Sequence, residues 1–541
     1  MELMTLSELG TSARLMAMPI FLTFVGIVVL LSDLIFDRED ERRWPAYLTI
    51  AGLVGALFLW VQSWLVFHPT AFDNRFFGWL RGLLGIQTVQ QAEPLFGGMF
   101  EPVGYASMTL LISLLVVVVA LVVTLLAPSY LERRDLQRGE FYALILFATV
   151  GLIMMAGGSH LILIFLGLEL LSIPLYILAG FARPNLESEE SGLKYFLLGA
   201  FATGFLLYGI ALIYGATGTM NLTEIRDLLL LEAQTGQGTV LLVDGSMNLM
   251  LVAGLVMLLV AIGFKISLVP FHQWVPDVYE GAPTPVTAFM VAGTKAGGFA
   301  ALINIMIAFI ALYEWWAPLI AILALLTMLG GNIGAILQRN VKRMLAYSSI
   351  AHAGYMLVGV AALQAGGVVL PAIILYLAVY ALMNLGAFAV IIALEEAEGR
   401  EIVELEEFAG LGREHPLLGI LLGFFLLSLA GFPPTAGFFA KFFLFTGAVL
   451  GNQVWLVLVA VVASVISVFY YARYIVAMFM QPAVEEEVVE GEVVVEEVGE
   501  VEVVEAVPLG LSWMVGTAIT VTAVLVLLIG IFPNPLLGLF R

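Results

Sequence analysis

The chain has 541 residues, of which 61% are hydrophobic and 12% charged; its formal net charge is −20 and it contains no cysteine. A soluble domain is nearer half apolar and a quarter charged, so an ordinary soluble fold is excluded. The lack of cysteine excludes disulfides and thiolate-held zinc or iron–sulfur centres, and without a basic patch the chain is no nucleic-acid binder.

A hydrocarbon core is crossed by about 20 consecutive apolar residues in helical form. In chain order the apolar runs predict fourteen spans: 15–36, 45–67, 104–127, 140–157, 160–181, 192–215, 248–279, 284–308, 316–337, 342–363, 370–394, 416–447, 453–480 and 511–533. The expected fold is therefore an all-α integral membrane bundle. The first span is read as a helix rather than a cleaved leader, because the Asp37-Arg38-Glu39-Asp40 flank offers no small-residue cleavage site. Between the second and third spans, Phe76–Ile86 reads as an interfacial helix.

Loop cations set the orientation. The loops after odd-numbered spans carry thirteen: Arg38, Arg42, Arg43, Arg133, Arg134, Arg138, Arg183, Lys194, Arg339, Lys342, Arg343, Arg400 and Arg413. The opposite side carries five: Arg14, Arg75, Arg81, Arg226 and Arg541. The positive-inside rule puts the first set in the cytoplasm and both termini outside. Much of the negative charge is local, with ten glutamates between Glu485 and Glu505. That valine–glutamate stretch reads as a solvated cytoplasmic linker.

The seventh and twelfth spans are too long for a simple crossing, and both contain proline: Pro270 in one, Pro433 and Pro434 in the other. Proline removes a backbone donor and breaks a helix. Paired broken helices mark inverted transporter repeats. The expected organisation is N-terminal helices over 1–139, a first repeat over 140–308 (helices 4–8), an inverted second repeat over 316–480 (helices 9–13), the acidic linker over 481–510, and a last helix over 511–541.

Five ionisable side chains fall inside apolar spans: Glu169, Lys265, Lys295, His352 and Lys441. Each costs on the order of 2.5–3.5 kcal/mol to insert at mid-helix on translocon scales. Single members have structural readings: His352 bonded to Ser348 or Ser349, or Lys441 snorkelling to an interface. As a set spread over several helices they read as a proton relay, because a nearby carboxylate tunes a desolvated lysine. Lys194, His272 and Asp277 are secondary candidates. The histidines form no metal-ligand pair and no phosphate-binding loop opens a helix, so no metal, nucleotide or redox cofactor is expected in this chain.

The stretches around these residues are Gly167-Leu-Glu-Leu-Leu-Ser172, Phe264-Lys-Ile-Ser-Leu-Val-Pro-Phe-His-Gln-Trp-Val-Pro-Asp277, Glu280-Gly-Ala-Pro-Thr-Pro-Val286, Ala346-Tyr-Ser-Ser-Ile-Ala-His-Ala-Gly-Tyr355 and Gly431-Phe-Pro-Pro-Thr-Ala-Gly-Phe-Phe-Ala-Lys441. In content and order they resemble the antiporter-like membrane subunits of complex I, the proton-pumping NADH–quinone oxidoreductase. The pattern is that of the N-type subunits, since M-type subunits carry glutamate at the position of Lys441 and L-type subunits extend into a lateral arm. The resemblance implies that Glu169, Lys265, Lys295 and Lys441 are the family's relay residues, with His352 matching its second-half histidine. It implies a bacterial inner membrane location, sister membrane subunits as partners, and NADH, flavin, iron–sulfur clusters and quinone on other subunits. Two other functions share parts of this pattern: the D-type member of a multi-component cation/proton antiporter, and a non-conducting scaffold.

Overall fold

The fold follows from a computed structural model, which describes residues 11–35, 43–67, 106–482 except 237, 239, 244 and 245, and 511–533. The expected interfacial helix at 76–86, the acidic stretch at 484–507 and His68 lie outside the described residues.

Helices dominate because backbone polar groups in lipid must be bonded within their own segment. They are α1 (Thr11–Ile35), α2 (Trp44–Phe67), α3 (Ala106–Glu132), α4 (Gly139–Gly157), α5 (Leu161–Ala179) and α6 (Leu186–Thr217). There follow α7 (Leu222–Thr235), α8 (Leu249–Lys265), α9 (Val275–Gly281), α10 (Thr284–Phe289) and α11 (Lys295–Ala308). The second half holds α12 (Tyr313–Leu337), α13 (Val341–Val360), α14 (Val369–Glu398), the short α15 (Leu411–Glu414), α16 (Pro416–Ala430), α17 (Ala436–Leu450), α18 (Val454–Met480) and α19 (Trp513–Ile531). Among the described residues, 11 helical segments are long and apolar enough to cross a membrane. The shorter apolar α8, α16 and α17 are pieces of interrupted rods. A π-helical turn, Met290–Thr294, joins α10 to α11.

The stretch 216–247, where no span is expected, forms α7 and a strand pair, β1 (Leu242–Val243) with β2 (Ser246–Met247). It is a small departure from the expected all-α fold. Asparagine caps the starts of α6, α7, α8 and α13 through Asn185, Asn221, Asn248 and Asn340, each side chain accepting from an amide of the first turn.

Two details recur in the halves. On the face away from the basic loops, Leu161 N–H donates to Met220 O and Leu222 N–H to Ser159 O. On the basic face, Val341 N–H donates to Val403 O and Leu405 N–H to Arg339 O. Glycine also lets the first helix pair of each half touch backbone to backbone. A Cβ on Gly151 of α4 would lie 2.6 Å from Gly167 O of α5, and one on Gly331 of α12 would press into the backbone nitrogen of Ala351 on α13. The most enclosed rods are α10–α11 and α14, which run through the middle of the bundle. Lys295 therefore sits at the centre.

Candidate functional site

Lys265 is the last residue of α8 and is 1% exposed. Its ammonium donates to Ser172 Oγ at 2.8 Å and to Tyr195 OH at 3.0 Å. Both acceptors are fixed. Ser172 gives its own proton to Leu168 O, and Tyr195 stacks on Trp274 with ring centres 4.4 Å apart. The Trp274 indole N–H in turn bonds Phe264 O. Glu169 lies one turn from Ser172 on α5; it is half-buried and accepts from Thr203 Oγ1 at 2.7 Å. Among the described residues Glu169 and Lys265 form no ion pair. A cavity of about 10 Å³ lined by Ser172, Thr203 and Lys265 has room for one water between their two bonding systems.

The helix breaks explain the other two lysines. Helix α8 ends in a Schellman cap: Ser267 takes a left-handed φ of 69°, Leu268 N–H bonds Gly263 O, and Ser267 N–H bonds Phe264 O. Helix α16 ends the same way, with Gly431 at φ 89°, Phe432 N–H on Leu427 O and Gly431 N–H on Ser428 O. Each break leaves carbonyls that no amide reaches, at the end of the helix that favours positive charge. Lys295, fully buried after the π-turn, donates to Ile266 O at 3.1 Å. Lys441, 6% exposed on α17, donates to Leu429 O at 3.1 Å, Ala430 O at 2.8 Å and Ser464 Oγ at 2.8 Å. Pro270, Pro433 and Pro434 lie within these breaks but on the outer surface of the chain, not enclosed by it.

His352 is buried in α13 between two tyrosines, with Tyr376 OH 2.9 Å from Nδ1 and Tyr471 OH 3.4 Å from Nε2. Tyr471 also bonds Ser348. Ser348 thus reaches His352 only through Tyr471, and the Ser349 hydroxyl has no partner. The secondary candidates lie apart from the lysine row. Lys194 bonds Asp277 at 2.7 Å, Asp277 also meets Arg343 at 2.9 Å, and together they tie α6, α9 and α13 at the basic face. His272 is in the first break, its Nδ1 buried without a partner.

Sequence reasoning missed three buried charges and one half-buried one. Lys342, counted as a loop cation, is 3% exposed. Glu395 and Glu396 close α14 and are nearly fully buried. Arg473 on α18 donates to Ile336 O and caps the end of α12. The adjacent glutamates at the end of a long apolar run were the available signal.

Comparisons with known proteins show the family of the chain. A family model described as NADH:quinone oxidoreductase/Mrp antiporter, TM, matches residues 158–467. The chain is 43% identical over 468 residues to NADH-quinone oxidoreductase subunit N of Trichlorobacter lovleyi, covering 86% of this chain and 87% of that protein. It is 45% identical over 471 residues to the subunit N of Chloroflexus aggregans, covering 86% and 88%. A chain in the structure of respiratory complex I from Thermus thermophilus with bound aureothin superposes with a TM-score of 0.70 at 31% identity, covering 96% of this chain and 98% of that one.

Proposed function

The chain belongs to the subunit N family of NADH-quinone oxidoreductases, and on that premise we propose that it translocates protons through the row Glu169, Lys265, Lys295, His352 and Lys441. The redox chemistry, with NADH, flavin, iron–sulfur clusters and quinone, belongs in this reading to partner subunits. Sister antiporter-like subunits and the bilayer surround the bundle. The basic face is cytoplasmic by the positive-inside rule, in a bacterial inner membrane, with both termini and α7 outside. Rods α8–α9 and α16–α17 each count as one crossing and α13 as another, which gives fourteen. The matched backbone bridges on opposite faces support two inverted repeats over 140–308 and 316–480.

The observation that carries the reading is that three buried ammonium groups are held only by neutral acceptors. A structural salt bridge supplies a fixed counter-charge, and these lysines have none within 4 Å among the described residues. At low dielectric a charge several ångström away still acts strongly on such a group. A carboxylate or lysine that gains or loses a proton therefore changes its neighbour's hold on its own. That is what a relay needs, and a scaffold does not.

The test is Lys265→Ala in the assembled complex, reconstituted in vesicles, with protons moved per electron as the readout. The expected outcome is loss of this chain's share of pumping at normal assembly. An unchanged ratio would leave the scaffold reading standing. Exchange of sodium or potassium for protons without quinone reduction would instead favour a cation/proton antiporter.

A further inference from the structure

A hollow of about 370 Å³ opens on the basic face, walled in part by Tyr130, Arg134, Glu280, Lys342 and Glu401. None of these belongs to the lysine row. Lys342 reaches it from the start of α13, nearly buried, with one hydrogen bond, to Ala282 O at 2.9 Å. Glu280, Glu395 and Glu401 are close enough to act on its charge. Glu395 accepts from Arg134 at 3.1 Å through one oxygen, while its other oxygen is buried with no partner.

Inward from Ala282, some hydroxyls pair, as Thr287 does with Tyr279 O, and others do not. The Thr284 Oγ1 and the Tyr279 OH are buried and partnerless, as are those of Ser267 and Ser349. The Tyr279 hydroxyl faces Ser267, Thr294 and Ser349 without closing a bond to any of them. Thr294 precedes Lys295, and Ser267 follows Ile266, whose carbonyl holds the Lys295 ammonium. Partnerless buried hydroxyls are rare in native proteins, and where they cluster they are bonded by internal water. Thr284 stands two residues past Ala282 in the hollow's wall, and the Tyr279 hydroxyl faces Ser267 and Thr294, the neighbours of Ile266 and Lys295.

We propose that this hollow is the proton intake of the chain, with Lys342 taking protons from its water and the Thr284–Tyr279–Ser267 hydroxyls carrying a water file to Lys295. The inference rests on the relay reading above and adds where the row is loaded. Each hop breaks one O–H or N–H bond and forms another, so one proton leaves the inner end as one arrives at the outer. Lys342 hands on its proton only as a neutral amine forms, with Glu401, Glu395 and Glu280 near enough to act on its charge. Lys342 and Tyr279 act here as proton carriers; Glu395 and Arg134 position the intake.

The experiment uses the assembled complex in vesicles, with Lys342→Arg, Tyr279→Phe and Lys265→Ala compared at matched assembly. Arginine keeps the cation and a donor for Ala282 O but does not release its proton. Phenylalanine removes a hydroxyl that bonds nothing in the protein, so folding is retained. The expected result is a loss of protons per electron in both variants as large as that of Lys265→Ala. A merely structural Lys342 would leave pumping intact in Lys342→Arg. Full pumping in Lys342→Arg and Tyr279→Phe beside a defective Lys265→Ala overturns the intake alone. Full pumping in Lys265→Ala overturns the relay reading and the intake with it. If Lys342→Arg does not assemble, Tyr279→Phe decides by itself. Because the chain has no cysteine, Arg183→Cys at the rim reports the side from which a membrane-impermeant maleimide reaches the hollow. Labelling from the cytoplasmic side is expected, and labelling only from the other side overturns the assignment.

Discussion

Lys265 rests on Ser172 and Tyr195, and each bond joins a charged donor to a neutral acceptor. Such bonds contribute about 1.5–3 kcal/mol each, and losing one partner leaves the other group underbonded. Tyr195→Phe keeps the ring that stacks on Trp274 and deletes only the acceptor. It should lower the thermal stability of the solubilised complex by an amount in that range and reduce pumping per electron. If both stay at wild-type values, Tyr195 is packing and not a holder of Lys265. Lys194 gives the opposite case. Its side chain is 40% exposed, and it pairs with Asp277 and Glu190 at the water-facing edge. Exposed pairs contribute less than about 1 kcal/mol. Lys194→Ala should therefore shift the melting temperature only slightly and leave pumping unchanged. A large pumping defect there would move Lys194 from the bundle's edge into its mechanism.

At the scale of elements, the two breaks are the same device built twice. A helix stops in a Schellman cap, its last carbonyls point inward, and a lysine from another turn or helix reaches them. Gly431 is the tightest point of the second copy: its φ is left-handed, and a Cβ there would lie 2.9 Å from Lys441 Cδ. Gly431→Ala should cost roughly 1–2 kcal/mol, from the backbone strain alone. The measurable result is a lower melting temperature, together with weaker pumping because Lys441 is displaced. Much of this was legible in the sequence. Pro270 and Pro433 betray the breaks, and an ionisable residue in an apolar run betrays Glu169, Lys265, Lys295 and Lys441. The partners were not legible, because they are set by tertiary packing: His352 meets Tyr471 from 119 residues away, and Lys265 meets Ser172 from 93. Lys342 was misread because a lysine just past Arg339 looks like a loop cation. Only the fold tucks it under Ala282.

Across the whole molecule the row runs from one outer face to another. Glu169 is half-buried on the α5–α6 side, where Leu166, Ile173 and Phe201 are exposed. Lys441 lies just beneath the α17–α18 side, where Phe442, Leu458 and Val465 are exposed. Between them stand Lys265, Lys295 and His352, so the two ends of the row are the groups nearest to whatever covers those faces. An end group that exchanges protons with a neighbour must release as well as hold them. Lys441 is bound by two carbonyls and one hydroxyl, acceptors that a guanidinium also satisfies. Lys441→Arg should therefore assemble normally and keep the capped break, whereas Lys441→Ala leaves the Leu429 carbonyl without its lysine donor and the Ala430 carbonyl with only Ser464 Oγ at 3.4 Å. Arginine stays charged at any working pH. If Lys441 passes protons onward, both variants lose pumping per electron to the same extent, and only the alanine form also melts at lower temperature. If the lysine acts as a fixed charge that closes the helix end, the arginine form pumps fully and the alanine form does not. Measuring protons per electron and melting temperature on the same two preparations separates these outcomes, and full pumping with arginine would remove Lys441 from the protonation cycle.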